Sequence, residues 1–205
     1  MNPEHPLRVL LILCALLLAA PMGCSERAEP PVTTDNAAPT PTATAALEEA
    51  DVDANPFFEE WDTPYGIPPF AQIRDEHYRP AFERGIEELR SDVAAIRDNP
   101  KAPSFENTIE TLELAGESLT RVADTFNNIN NTDTNDYLQE LAVEISPVLT
   151  REMDAIYLDE KIFARVKAVY DQRQSLGLDA QAMRLVELIH LDFVRQGAAL
   201  DMESR

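Results

Sequence analysis

From Glu76 onward the apolar positions of the chain fall at helical spacing. Tyr78, Phe82, Ile86, Leu89, Val93 and Ile96 recur at intervals of three and four, which makes one stripe along a first helix over about 76–98. Asp75 is its expected N-cap, Pro80 is tolerable in its first turn, and Asn99-Pro100 stops it. A second helix is expected after Ser104, a capping residue, with Ile109, Leu112, Leu119, Val122, Phe126 and Ile129 as its stripe. Gly116 within it marks a local weakness or a close helix contact, and the Asn-rich run at 127–136 breaks it. A third helix near 136–155 buries Leu138, Leu141, Ile145, Leu149 and Met153, and Pro147 should kink or split it. A fourth over about 160–176 turns Ile162, Phe163, Val166, Val169 and Tyr170 inward and ends at Gly177. Asp179 caps a fifth, with Met183, Val186, Ile189, Phe193 and Val194 in line before Gly197. Asp201 is placed to cap a sixth, of which the chain holds only the first turn. The pattern predicts an all-α fold, a bundle of about five helices.

Ahead of the helices the pattern changes. Residues 55–82 (NPFFEEWDTPYGIPPFAQIRDEHYRPAF) are dense in rings and prolines. Pro56, Pro64, Pro68 and Pro69 each fix φ and remove a backbone donor, which excludes a long helix or a central strand up to Phe70. The segment is expected to be an extended strap that docks Phe57, Phe58, Trp61, Tyr65, Phe70, Tyr78 and Phe82 onto the helical body.

The first 24 residues read as an export signal. Val9 to Ala20 is an unbroken apolar run of twelve residues, short of the ~20 that span a bilayer. Gly23-Cys24 matches the end of a bacterial lipobox, with Cys24 as the candidate lipidation site and Pro21 where Leu or Val is usual; ordinary signal cleavage nearby is the alternative. Cys14 would leave with the signal, so the two cysteines supply neither a disulfide framework nor a Cys-based metal site. Residues 25–54 are Ala, Thr, Pro and acidic residues without an aromatic, too polar to offset their ordering entropy, and are expected to be a disordered tether with a reach on the order of 30 Å. Residues 55–205 remain as one domain. Thirty-seven acidic against 17 basic residues give a net charge of −20, which argues against nucleic acid and against direct adhesion to anionic lipid.

Candidate chemistry is sparse. Of three histidines, His5 lies in the signal, His77 in the first turn of the first helix and His190 beside the stripe of the fifth. No H-E-x-x-H is present and no two histidines share metal-ligand spacing. Both His77 and His190 read as structural. Glu59-Glu60 and Glu110/Glu113 are carboxylate pairs without a partner base or nucleophile, expected to be solvated surface. No phosphate loop or nucleophile elbow is readable. No catalytic residue and no metal ligand is therefore assigned within the chain.

Several motifs in order carry a resemblance. NPFF at 55–58, TPYGIPPFAQI at 63–73, HYRPAFERGI at 77–86 and PSFENTIETLE at 103–113 resemble the amino-terminal part of the thimet-oligopeptidase family of zinc metallopeptidases. The stretches at 154–187 and 192–201 are more similar to its peptidyl-dipeptidase Dcp branch than to oligopeptidase A. The resemblance implies a much longer, almost wholly helical enzyme that removes dipeptides from the carboxyl end of short unfolded peptides. It also implies one zinc, held by H-E-x-x-H and a downstream Glu, and amino-terminal helices that form a wall over a deep channel. None of those ligands falls within these 205 residues, so the resemblance predicts that the chain alone binds no zinc and cleaves nothing. The signal and tether suggest a cell-envelope or periplasmic version, with a lipid anchor to a membrane as an option. Three readings follow: the front of an exported peptidyl-dipeptidase cut short, a stand-alone envelope lipoprotein acting as a peptide-binding or scaffolding module, or a degenerate product.

Overall fold

A computed structural model describes residues 55–200. Cys24, the signal, the tether and Asp201 lie outside the described residues. Five long helices build the body: α1 Asp75–Arg97, α2 Glu117–Thr132, α3 Asp136–Tyr157, α4 Glu160–Gln172 and α5 Ala180–Arg195. Among the described residues there is no strand. None of the described helices is long and apolar enough to cross a membrane.

The stripe of α1 is buried throughout, from Tyr78 and Phe82 at 1 % exposure to Ile96. α2 runs antiparallel to α1, with Phe126 edge-on to both Tyr78 (5.2 Å) and Phe82 (5.3 Å) at one end. At the other end Gly85 meets Leu119 so closely that a Cβ there would stand 2.9 Å from the Leu119 Cα. α3 lies parallel to α1 on its other flank, held along the rim by Arg79–Glu144 and Arg90–Glu152 pairs. α4 and α5 pair antiparallel, and Phe193 of α5 stacks on Phe163 and meets Tyr157 edge-on.

Five local expectations change. The N-cap of α1 is Arg74, not Asp75. His77 is buried and its Nδ1 accepts the Arg74 N–H at 3.1 Å, while Asp75 occupies the first helical position and accepts from Asn135 Nδ2. Pro80 consequently falls in the second turn. The expected second helix is two pieces: a π-helical turn Phe105–Glu110 leading to one α-turn Thr111–Leu114, then a break at Ala115-Gly116 before α2. Gly116 takes φ +73, a left-handed conformation that glycine adopts without a Cβ penalty, and its N–H is taken by Asp92 of α1 at 3.2 Å.

Pro147, by contrast, does not divide α3. The carbonyl it leaves unpaired belongs to Val143, whose side chain is 78 % exposed, so water can satisfy that group. Arg151 Nε adds a bond to the Pro147 carbonyl itself. Finally, Val194 is 38 % exposed and does not join the inward face of α5.

The caps at Ser104 and Asp179 form as the sequence implies, accepting from Asn107 N and Ala182 N. Gly177 closes the turn after α4 with φ +68. A buried arginine ties these parts together. Arg165 of α4 donates to the carbonyls of Asn99 and Lys101, to Asn107 Oδ1 and to Thr108 Oγ1, which clamps the α1 exit against the π-turn.

Candidate functional site

The strap is anchored at its start and exposed in its middle, at Tyr65 and Phe70. Asn55, 1 % exposed, donates from Nδ2 to the His77 carbonyl at 2.8 Å while its Oδ1 accepts the Phe57 N–H. Pro56–Phe58 is a single 3-10 turn, which seats Phe57 against Tyr78 at 5.4 Å and against Trp61 at 5.9 Å. Trp61 Nε1 closes the turn by donating to the Pro56 carbonyl. Beyond Trp61 the expected docking fails for Tyr65 and Phe70, whereas Tyr78 and Phe82, within α1, are buried in the core. Tyr65 is fully exposed and Phe70 is 43 % exposed, because a second 3-10 turn, Pro64–Gly66, carries them away from the helices. Tyr65 there holds φ +62, a conformation that costs a side-chain-bearing residue about 1 kcal/mol.

Between the anchored part of the strap and the α1–α2 pair lies a cleft of about 170 Å³. Two arginines line it, each laid against a strap ring: Arg84 of α1 stands 4.6 Å from the Phe58 ring centre, and Arg121 of α2 stands 5.3 Å from that of Trp61. Their settings differ. Arg84 Nε is paired with Glu88 Oε1 at 2.9 Å, and the other Glu88 oxygen accepts from Ser118 Oγ at 2.5 Å. The Ser118 hydroxyl, followed by Arg84, holds the Glu88 carboxyl below its usual range. Arg121 donates a hydrogen bond, 3.3 Å to the Glu59 carbonyl, and its charge also helps to lower the Glu88 carboxyl.

Residues singled out from sequence are dispersed. Glu59 and Glu60 are exposed at the rim of the cleft. Glu110 is exposed, but Glu113 is not the solvated surface expected. Its Oε1 is buried without a hydrogen-bond partner, and burial raises its carboxyl to about 7. His77 serves α1 as described, and burial lowers its basicity, in keeping with an unprotonated Nδ1 that accepts. His190 lies flat on Tyr170 (3.8 Å, 8°), whose other face carries Arg173, and it too is made less basic by burial. Neither histidine faces a nucleophile or a second ligand. Arg84 and Arg121 were not legible as site residues, since nothing in their local spacing tells that strap rings come to lie on them.

No family model matches the chain. Curated proteins do. Over 146 residues the chain is 48 % identical to the dipeptidyl carboxypeptidase of Escherichia coli (strain K12). Over 151 residues it is 43 % identical to that of Salmonella typhimurium (strain LT2). The chain is a relative of the dipeptidyl carboxypeptidases. The matches take in 71 % and 74 % of this chain but only 21 % and 22 % of those proteins, so the chain spans about a fifth of the length of the relatives it matches.

The dipeptidyl carboxypeptidase likeness, set beside the site geometry, separates scaffold from chemistry. Among the described residues no group of three or more His, Cys, Asp or Glu side chains is gathered where it could hold a metal ion. The zinc implied by the family resemblance finds no donor set here, and no catalytic step is derived through it. What these residues offer is a rigid helical surface and one charged, ring-floored cleft.

Proposed function

We propose that this chain is the amino-terminal part of an exported zinc peptidyl-dipeptidase, and that its helices form part of the wall of the channel along which short unfolded peptides reach the catalytic centre. The observation that carries the reading is the 43–48 % identity to dipeptidyl carboxypeptidases over nearly three-quarters of the chain. The helical packing supports it, because a wall needs a body that stays folded while peptides pass. The zinc and its ligands then belong to polypeptide outside these 205 residues. Residues 1–24 export the protein, Cys24 carries its lipid, and residues 25–54 tether the domain off the envelope membrane.

A peptidase assay tests this. The 205-residue chain is expected to release no dipeptide from a blocked tetrapeptide, with or without added zinc. The product of a reading frame that carries this sequence on into an H-E-x-x-H segment is expected to release it and to lose that activity in EDTA. Chelator-sensitive release by the 205-residue chain itself, or none by the longer product, would overturn the reading.

A further inference from the structure

The cleft beside the strap has features that the wall role leaves unused. Arg121 presents a guanidinium at one side, 5.3 Å from the Trp61 ring centre, with a single 3.3 Å hydrogen bond to the Glu59 carbonyl and its charge felt by Glu88. Carboxylates of Glu59, Glu60 and Glu88 line the same cleft, so opposite charges face one small volume. The strap itself supplies a third element. Past the Pro56–Phe58 turn Glu59 takes extended dihedrals (φ −116, ψ 157), and the N–H groups of Glu60 and Trp61 make no backbone hydrogen bond among the described residues. An extended segment with open backbone donors is able to pair with another extended chain. The cleft's ~170 Å³ equals the volume of about six water molecules, which suits a solute of dipeptide size and is well below drug-sized pockets.

We propose that this cleft binds short peptides with free termini, dipeptides above all. Arg121 receives the terminal carboxylate, the Glu59/Glu60/Glu88 side receives the terminal ammonium, and the strap backbone at 59–61 pairs with the peptide bond. The inference rests on the reading of the chain as part of a peptidase that handles peptides, and it assigns a peptide-end site to these residues themselves. A lone anion fits less well, because three carboxylates share the cleft with two guanidiniums. The zwitterion matches both signs.

Trp61 is the single tryptophan of the chain and lies against Arg121, which lines the cleft, so its fluorescence responds to what Arg121 binds. The experiment titrates the full 205-residue chain with alanylalanine and, separately, with N-acetyl-alanylalanine amide, which keeps the peptide bond and loses both charges. A saturable change is expected with alanylalanine, and a midpoint about ten-fold weaker or worse with the blocked peptide. Arg121→Gln is expected to weaken alanylalanine by about ten-fold with an unchanged circular dichroism spectrum, and Arg121→Lys to fall between. Absence of a saturable response to alanylalanine overturns the proposal, as do equal midpoints for the two peptides or an unaffected Arg121→Gln. If that variant fails to fold, the comparison of the two peptides on the parent chain decides. The outcome separates from the peptidase reading: a longer product without dipeptide release, beside intact Trp61 binding, removes that reading and leaves the site. Active longer enzyme with no Trp61 response removes the site alone.

Discussion

Gly85→Ala places a methyl group where α1 and α2 touch. Alanine is the better helix former by about 1 kcal/mol in a helix interior, so local propensity alone makes the substitution stabilising. Packing opposes it. The new Cβ would stand 2.9 Å from the Leu119 Cα, 3.1 Å from its Cβ and 3.2 Å from its backbone N. These are backbone or backbone-attached atoms, and no rotamer change moves them aside. The helices must separate by several tenths of an ångström, which also loosens the Phe126 contacts with Tyr78 and Phe82. Overpacking of this kind costs about 3 kcal/mol at the upper end of its usual range, leaving a net loss of about 2 kcal/mol. For a domain of this size that lowers Tm by about 4–8 °C. The control is Ser91→Ala, an exposed position of the same helix, expected to gain up to about 0.5 kcal/mol. Urea unfolding followed by circular dichroism reads both. Gly85→Ala as stable as the parent, with Ser91→Ala behaving as stated, would refute a close α1–α2 crossing at this point.

Two further predictions concern buried polar groups. Arg165→Met removes the donor to four acceptors at the exit of α1 and in the π-turn, and is expected to cost about 2–4 kcal/mol in urea unfolding; a loss below about 1 kcal/mol would show that water replaces the guanidinium. Glu113, raised by burial from 4.5 to about 7, keeps in the folded state a proton that the unfolded chain has already released between those pH values. Stability therefore falls as pH rises through that window, and Glu113→Gln is expected to flatten this part of the pH–Tm curve and to raise Tm relative to the parent at pH 8 more than at pH 4. Parallel curves for the two proteins would remove the argument.

The helical body was largely legible because each stripe is a local pattern that a single core rewards. Tyr78 to Ile96, Leu138 to Leu149 and Ile162 to Val169 are inward in the structure for the same reason that they recur in the sequence. What escaped depended on contacts between distant parts. Gly116 read as a local weakness or a close helix contact, and it is a break that also lies against Leu89 of α1, with its N–H accepted by the Asp92 carboxylate of the same helix. Pro147 was expected to kink or split α3, but the helix runs on through it, and the carbonyl left without an N–H belongs to Val143, an exposed residue. The strap's ring content suggested that every aromatic docks, yet only Phe57, Phe58 and Trp61 find partners before the second turn carries Tyr65 away. The cleft required Arg121 to meet a carbonyl 62 residues earlier, a relation with no trace in periodicity.

The Asn55 anchor has a mechanical consequence. A load that reaches the domain through Asn55 meets a residue bonded to the His77 carbonyl and buried beside the first turn of α1. The pull is borne first by that bond and by the Phe57 ring in its seat against Tyr78, before any helix–helix contact is stressed. A domain moored at such a point can be tugged without its body distorting. Its weakest link under tension is a short, reversible joint of one side-chain amide and one ring.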